Sequence, residues 1–188
     1  LKDFLISESR GDSHRGQEYS NEDRRALRIQ DDTIHSHSGI RFNYTTYDAR
    51  RGQDAISLKS GRDCTMTVTG DPTQQGPFWY ARVLGIYHAT VTDTGTGIRS
   101  LPKRVDFLWV WWFDRVSNEI GLPEIAYLPL SDNAAFSFVS PNDVIRACHV
   151  IPAFSKHRDV VLDGRNRIKR ASFVQDEQGD WNSYYVNR

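Results

Sequence analysis

Cysteine is nearly missing from this chain. Only Cys64 and Cys148 occur in 188 residues, far apart and in no CxxC pair. That excludes a disulfide framework and a zinc-type ligand spacing, and it suits a reducing compartment. Net charge is missing too, because 24 Lys and Arg balance 24 Asp and Glu. No global field holds such a chain on a polyanion, so contact with nucleic acid would need local basic clusters. No apolar run has signal-peptide character, and none approaches the roughly 20 residues that cross a bilayer, so no membrane partner is expected. Internal repeats are absent and helical periodicity is scarce. The chain begins at Leu1 and stops at Tyr184-Tyr-Val-Asn-Arg188, which reads as mid-strand and suggests a piece of a longer protein.

What is present is aromatic. Phe107-Leu-Trp-Val-Trp-Trp-Phe113 is an unbroken apolar run, with Lys103, Arg104 and Asp106 before it and Asp114 and Arg115 after it. Aromatic and β-branched residues at this density predict a strand, and the flanking charges guard it against aggregation. With no polar face, the run is expected to be a central strand covered on both sides, or to keep one aromatic side for a partner.

Around it, short strands alternate with turns. Residues 1–19 read as a mobile, polar lead-in with one apolar patch, Phe4-Leu-Ile6. Ser20 followed by Glu22 and Asp23 has the form of a helix cap, so a short helix is predicted next. Thr33–His37 and Ile40–Thr45 alternate across Ser38-Gly39 and predict a hairpin. Tyr44–Asp54 lacks a clean period and reads as a structured loop, with Tyr44, Tyr47, Asp48, Arg50, Arg51 and Asp54 locking it through hydrogen bonds and ion pairs. Cys64–Thr69 alternates as a strand, Gly70–Pro77 is a turn, and Phe78–Ala89 is a long strand with a bulge at Gly85. Asp93–Gly97 is a loop. Glu124–Tyr127 is a strand ended by Pro129, Ser140–Asp143 a helix start or turn, and Val144–Ile151 a strand closed by Pro152. The fold class expected is mainly β: a small antiparallel, partly open barrel with a short N-terminal helix and irregular extensions. Its organisation is an N-terminal extension over 1–32, a barrel domain over 33–175 and a C-terminal strand over 176–188.

The middle of the chain resembles a bromo-adjacent homology (BAH) domain. The residues that carry this are Asp63-Cys-Thr-Met-Thr-Val, Phe78-Trp-Tyr-Ala-Arg-Val-Leu-Gly-Ile-Tyr, Trp112-Phe-Asp-Arg115 and Ile145-Arg-Ala-Cys-His-Val150, in that order over roughly residues 60–152. A second resemblance covers more of the chain. Tyr44-Thr-Thr-Tyr-Asp-Ala-Arg-Arg, Pro77-Phe-Trp-Tyr-Ala-Arg-Val-Leu-Gly-Ile, Phe107-Leu-Trp-Val, Val144–Phe154 and Tyr184-Tyr-Val-Asn look like a segment in mushroom-forming fungi. There it lies toward the C-terminus of proteins encoded by large DNA transposons of the Plavaka type. At Trp111 this chain carries an indole where a basic residue is more typical. The resemblances imply a transposon-derived nuclear protein with its transposase region upstream, and a module that binds histone tails or other nuclear proteins. Some BAH-like domains read methyl-lysine in an aromatic cage through cation–π attraction.

Candidate cage walls are Trp79, Tyr80, Tyr87, Trp111 and Trp112, whose competing reading is core packing. Duplex DNA is the alternative partner, reached through Arg24, Arg25 and Arg28 near the short helix, Arg50 and Arg51, and the tail cluster Arg165, Arg167, Lys169 and Arg170. Against it stands solvated charge balanced by neighbouring acids. Catalysis is not expected. Asp106, Asp114, Glu119, Glu124, Asp132 and Asp143 have no partner at a diagnostic spacing. Cys148-His149 with Cys64 or His88 reads as buried packing rather than a nucleophile or a metal site. His35 and His37 share a strand face but offer only two ligands. No cofactor or metal is expected.

Overall fold

Two long antiparallel strands, Phe78–Asp93 and Lys103–Ser117, form the spine, and both are rich in the aromatic and β-branched residues that fit a pleated surface. A computed structural model describes residues 1–12, 17–45, 50–68, 78–95, 101–117, 122–156 and 181–187. In chain order the elements begin with α1 (Lys2–Arg10), α2 (Asn21–Ala26), β1 (Leu27–Ile29), β2 (His35–His37), β3 (Gly39–Thr45) and β4 (Arg51–Ser57). They continue with β5 (Cys64–Val68), β6 (Phe78–Asp93), β7 (Lys103–Ser117), β8 (Glu124–Tyr127), β9 (Phe136–Val139), β10 (Val144–Pro152) and β11 (Tyr184–Asn187). A 3-10 turn at Pro141–Asp143 leads into β10.

Six strands close into an antiparallel barrel in the order β6-β5-β10-β11-β8-β7, with β7 pairing back onto β6. The expected small β-barrel is therefore present, and its ring is closed rather than partly open. Every stave contributes to one buried cluster of Cys64, Met66, Tyr80, Phe113, Ile125, Cys148, Tyr184 and Val186, which marks the barrel interior. The β6–β7 ladder shifts register between Val83 and Gly85, the expected bulge. A Cβ on Gly85 would lie 2.3 Å from the Tyr87 ring, so a larger residue there would displace that ring.

Alternation sends the next residues outward. Ala81, Val83 and Ile86 of β6, with Leu108 and Val110 of β7, form an outer stripe covered by Phe42 of β3, Ile56 of β4 and Val139 of β9. Beyond the barrel, the far halves of β6 and β7 offer Ala89, Val91, Val105 and Phe107 to Phe4, Leu5 and Ile6 of α1. The apolar run is central, as its composition predicts: Phe107 and Phe113 are buried, the three indoles are half-buried, and β7 pairs with β6, β8 and β9.

Four expectations change. Within the lead-in expected to be mobile, Lys2–Arg10 form helix α1, because the apolar triplet has a sheet face to bury against, worth roughly 1.5–3 kcal/mol per side chain. Gly11 ends that helix in the left-handed region at φ 79°, donating its N–H to Ser7 O. Thr33–His37 and Ile40–Thr45 do not pair with each other: β2 pairs with β6 and β3 with β4, since alternation specifies a face and leaves the partner open. Within Tyr44–Asp54, Tyr44 and Thr45 close β3 and Arg51 to Asp54 open β4. Three side chains of this stretch have partners: Gln53 donates to Asn43 at 2.9 Å, and Arg146 of β10 reaches Asp54 at 3.3 Å and stacks 4.8 Å from the Tyr44 ring. The locking role expected for Tyr44 and Asp54 is thus met from another strand; Tyr47 and Asp48 lie outside the described residues, as does the Gly70–Pro77 turn. Finally, β11 is a stave between β10 and β8, so the barrel includes the C-terminal strand.

Candidate recognition surface

The five candidate aromatic residues do not converge. Neighbours on a strand point to opposite faces, which separates Trp79 from Tyr80 and Trp111 from Trp112. Tyr80 lies opposite Phe113 in the barrel interior and is 2% exposed. Tyr87 packs at 5.6 Å on Phe107 beside the α1 cluster. Trp111 stacks at 4.1 Å on Tyr127 and at 5.4 Å on Phe136, and its Nε1–H donates to Leu128 O at 2.9 Å. These three rings serve packing.

Trp79 and Trp112 belong to the outer stripe. Along it Leu108, Val110, Val83 and Ala81 are closed off by the β3–β4 hairpin and β9, and the cover thins at its end. Trp112 is half-buried there, with its Nε1–H donating to Ser137 Oγ at 2.7 Å. Trp79 stands edge-on to it at 5.4 Å and is 38% exposed. The result is one indole fixed by a hydrogen bond and a second partly open to solvent, on a strand pair that the closed barrel holds rigid. Ser137 carried no sequence signal, because its role depends on β9 pairing with β7.

No family model, curated protein or solved structure matches this chain.

The arginines are scattered. Arg24 is held by Asp3 through two hydrogen bonds of 2.6 and 2.8 Å, which removes it from a phosphate-binding surface. Arg25 and Arg28 are exposed at the α2–β1 junction, and Arg50 and Arg51 are exposed at the start of β4. Arg165, Arg167, Lys169 and Arg170 lie outside the described residues.

Four of the candidate acids have structural partners. Asp106 pairs with Arg104 at 2.7 Å, Asp114 accepts from Arg115 N at 2.8 Å, and Asp132 accepts from Ala134 N at 2.8 Å. Glu124 is buried and bonded to Lys156 and, at 2.5 Å, to Ser183 Oγ; these bonds hold its carboxyl below the usual range. Glu119 lies outside the described residues. Cys64 and Cys148 face each other across β5 and β10, both buried and neither in a disulfide. Burial, then the nearby Asp63 carboxylate, pushes the Cys64 thiol well up, so it is a neutral packing group. Asp63 in turn meets Arg82 at 3.1 Å, and Arg82 donates to the Tyr127 hydroxyl. Among the described residues, no group of three or more His, Cys, Asp or Glu is arranged to hold a metal ion.

Proposed function

We propose that this chain is a non-catalytic recognition module that binds a histone tail or another nuclear protein, within a transposon-derived fungal protein that also carries a transposase region. The observation that carries the reading is the Trp79–Trp112 pair at the open end of the outer stripe. Two indoles on a rigid strand pair offer a peptide apolar area at little entropic cost, which is why tryptophan is enriched among residues that dominate binding energy. The resemblances to BAH domains and to Plavaka-type proteins supply the nuclear and chromatin setting.

Duplex DNA is the second reading, favoured by the exposure of Arg25, Arg28, Arg50 and Arg51. A screen of the purified chain against histone-tail peptides and duplex DNA at near-physiological salt separates the two. Saturable peptide binding with feeble, salt-sensitive DNA binding is expected. DNA binding alone would overturn the first reading.

A further inference from the structure

Three of the chain's six histidines meet in one place. His35 and His37 lie on the same side of β2, two residues apart, and β2 pairs with the stretch of β6 that contains His88. The His88 ring stacks on His35 at 4.6 Å and on His37 at 4.9 Å. His37 Nε2 and His88 Nδ1 are 2.7 Å apart, within hydrogen-bonding distance. Among the described residues, the ladder partner of β2 is β6 alone, over three residue pairs. His35 is exposed, while His37 and His88 are half-buried.

We propose that these imidazoles form a proton-operated latch, which fastens β2 to β6 at neutral pH and releases it on acidification. The hydrogen bond between His37 and His88 needs one ring nitrogen to donate and the other to accept. Two neutral rings satisfy this, as does one neutral ring with one cation. Two imidazolium rings cannot, because neither keeps an acceptor. A third positive charge on His35, stacked against the same ring, adds repulsion at close range.

The surroundings do not cancel that charge. Among the described residues, the other charged groups acting on His88 come from β7: Asp106 opposite it in the ladder, and Arg104. Asp106 is already paired with Arg104 at 2.7 Å, and both are exposed, so together they present no net negative charge to the cluster. Desolvation first, then Arg104 and the two neighbouring histidines, lower the affinity of His88 for a proton. A histidine with this depression is harder to protonate in the folded state than in the unfolded one. Its contribution to stability is complete above about pH 6.5 and is lost as pH falls from there toward its lower folded value.

Release would have a defined structural reach. Ser38 joins β2 to the β3–β4 hairpin, and Leu58 N donates to Ser38 O at 3.1 Å. The hairpin keeps its own pairing and its cover over the outer stripe through Phe42 and Ile56. Acidification is therefore expected to free a short segment and the adjoining edge of β6, leaving the barrel closed.

Amide hydrogen exchange tests this, in buffer containing a chelator, at about pH 7.5 and about pH 5, on either side of the ordinary imidazole value. After correction for intrinsic exchange, protection over His35–His37 is expected to fall roughly tenfold or more in acid, while Leu108 and Val110 stay protected. His88→Gln, neutral at both pH values, is expected to remove most of that difference. If that variant does not fold, the His35→Asn, His37→Asn pair, which alters only the short β2, gives the same reading. Equal protection of β2 at the two pH values would overturn the latch, as would acid loosening that persists in the folded variants.

Discussion

Asp93 shows how much can rest on one buried carboxylate. It is 3% exposed, accepts from Arg10 Nε at 2.7 Å and from Gly95 N at 2.8 Å, and so ties the end of α1 to the end of β6. Arg10 also reaches Asp23 of α2 at 2.8 Å, which joins both helices to the sheet. Asp93→Asn keeps the shape and removes the charge. A loss of about 2 kcal/mol is expected at neutral pH, the scale of a hydrogen bond to a charged group. The Arg10 hydrogen bond, with smaller help from Gly95, holds the Asp93 carboxyl below its usual value. Its stabilisation is thus present above about pH 4 and lost as pH falls through the lower folded value. Urea unfolding at pH 7 and at about pH 3 should show the difference between wild type and Asp93→Asn shrinking in acid. A constant difference would mean that charge is not what Asp93 contributes.

At the scale of elements, α1 is the piece whose importance composition conceals. Leu5 and Ile6 are fully buried against the far halves of β6 and β7, although most of residues 1–19 are polar. Leu5→Ala is expected to cost about 2–5 kcal/mol, measured by chemical denaturation, as for other fully buried leucines. A loss below about 0.5 kcal/mol, the usual range of surface changes, would contradict the packing described. The helix was not legible because three apolar residues in a polar stretch signal burial only once a sheet face is there to receive them. Strands were easier. β5, β6 with its bulge, β8 and β10 follow from local alternation and turn residues. The partners of β2, β3 and β11 do not, because pairing is decided by residues far along the chain. The cap at Ser20 was legible in full, with its side chain accepting from Asp23 N at 3.1 Å.

At the scale of the whole molecule, a closed barrel turns an aromatic-rich sequence into two populations of rings. That Trp79 and Tyr80 must part, as must Trp111 and Trp112, was legible from the two-residue period of a strand. That Trp79 would meet Trp112 rather than Trp111 was not, since it depends on the β6–β7 register. Among the described residues, the outer stripe ends where the hairpin no longer covers it, and recognition is proposed at that end. Trp79→Ala tests this directly, because Trp79 is the more exposed indole and its loss should leave the unfolding midpoint nearly unchanged. The decisive measurement is a titration of wild type, Trp79→Ala and a variant with Arg25, Arg28, Arg50 and Arg51 changed to Gln, against the best histone-tail peptide and against duplex DNA at two salt concentrations. Trp79→Ala is expected to weaken peptide binding about tenfold or more, with the arginine changes nearly silent. Tight duplex binding that falls steeply with salt, is lost in the arginine variant and is indifferent to Trp79→Ala would contradict the peptide reading.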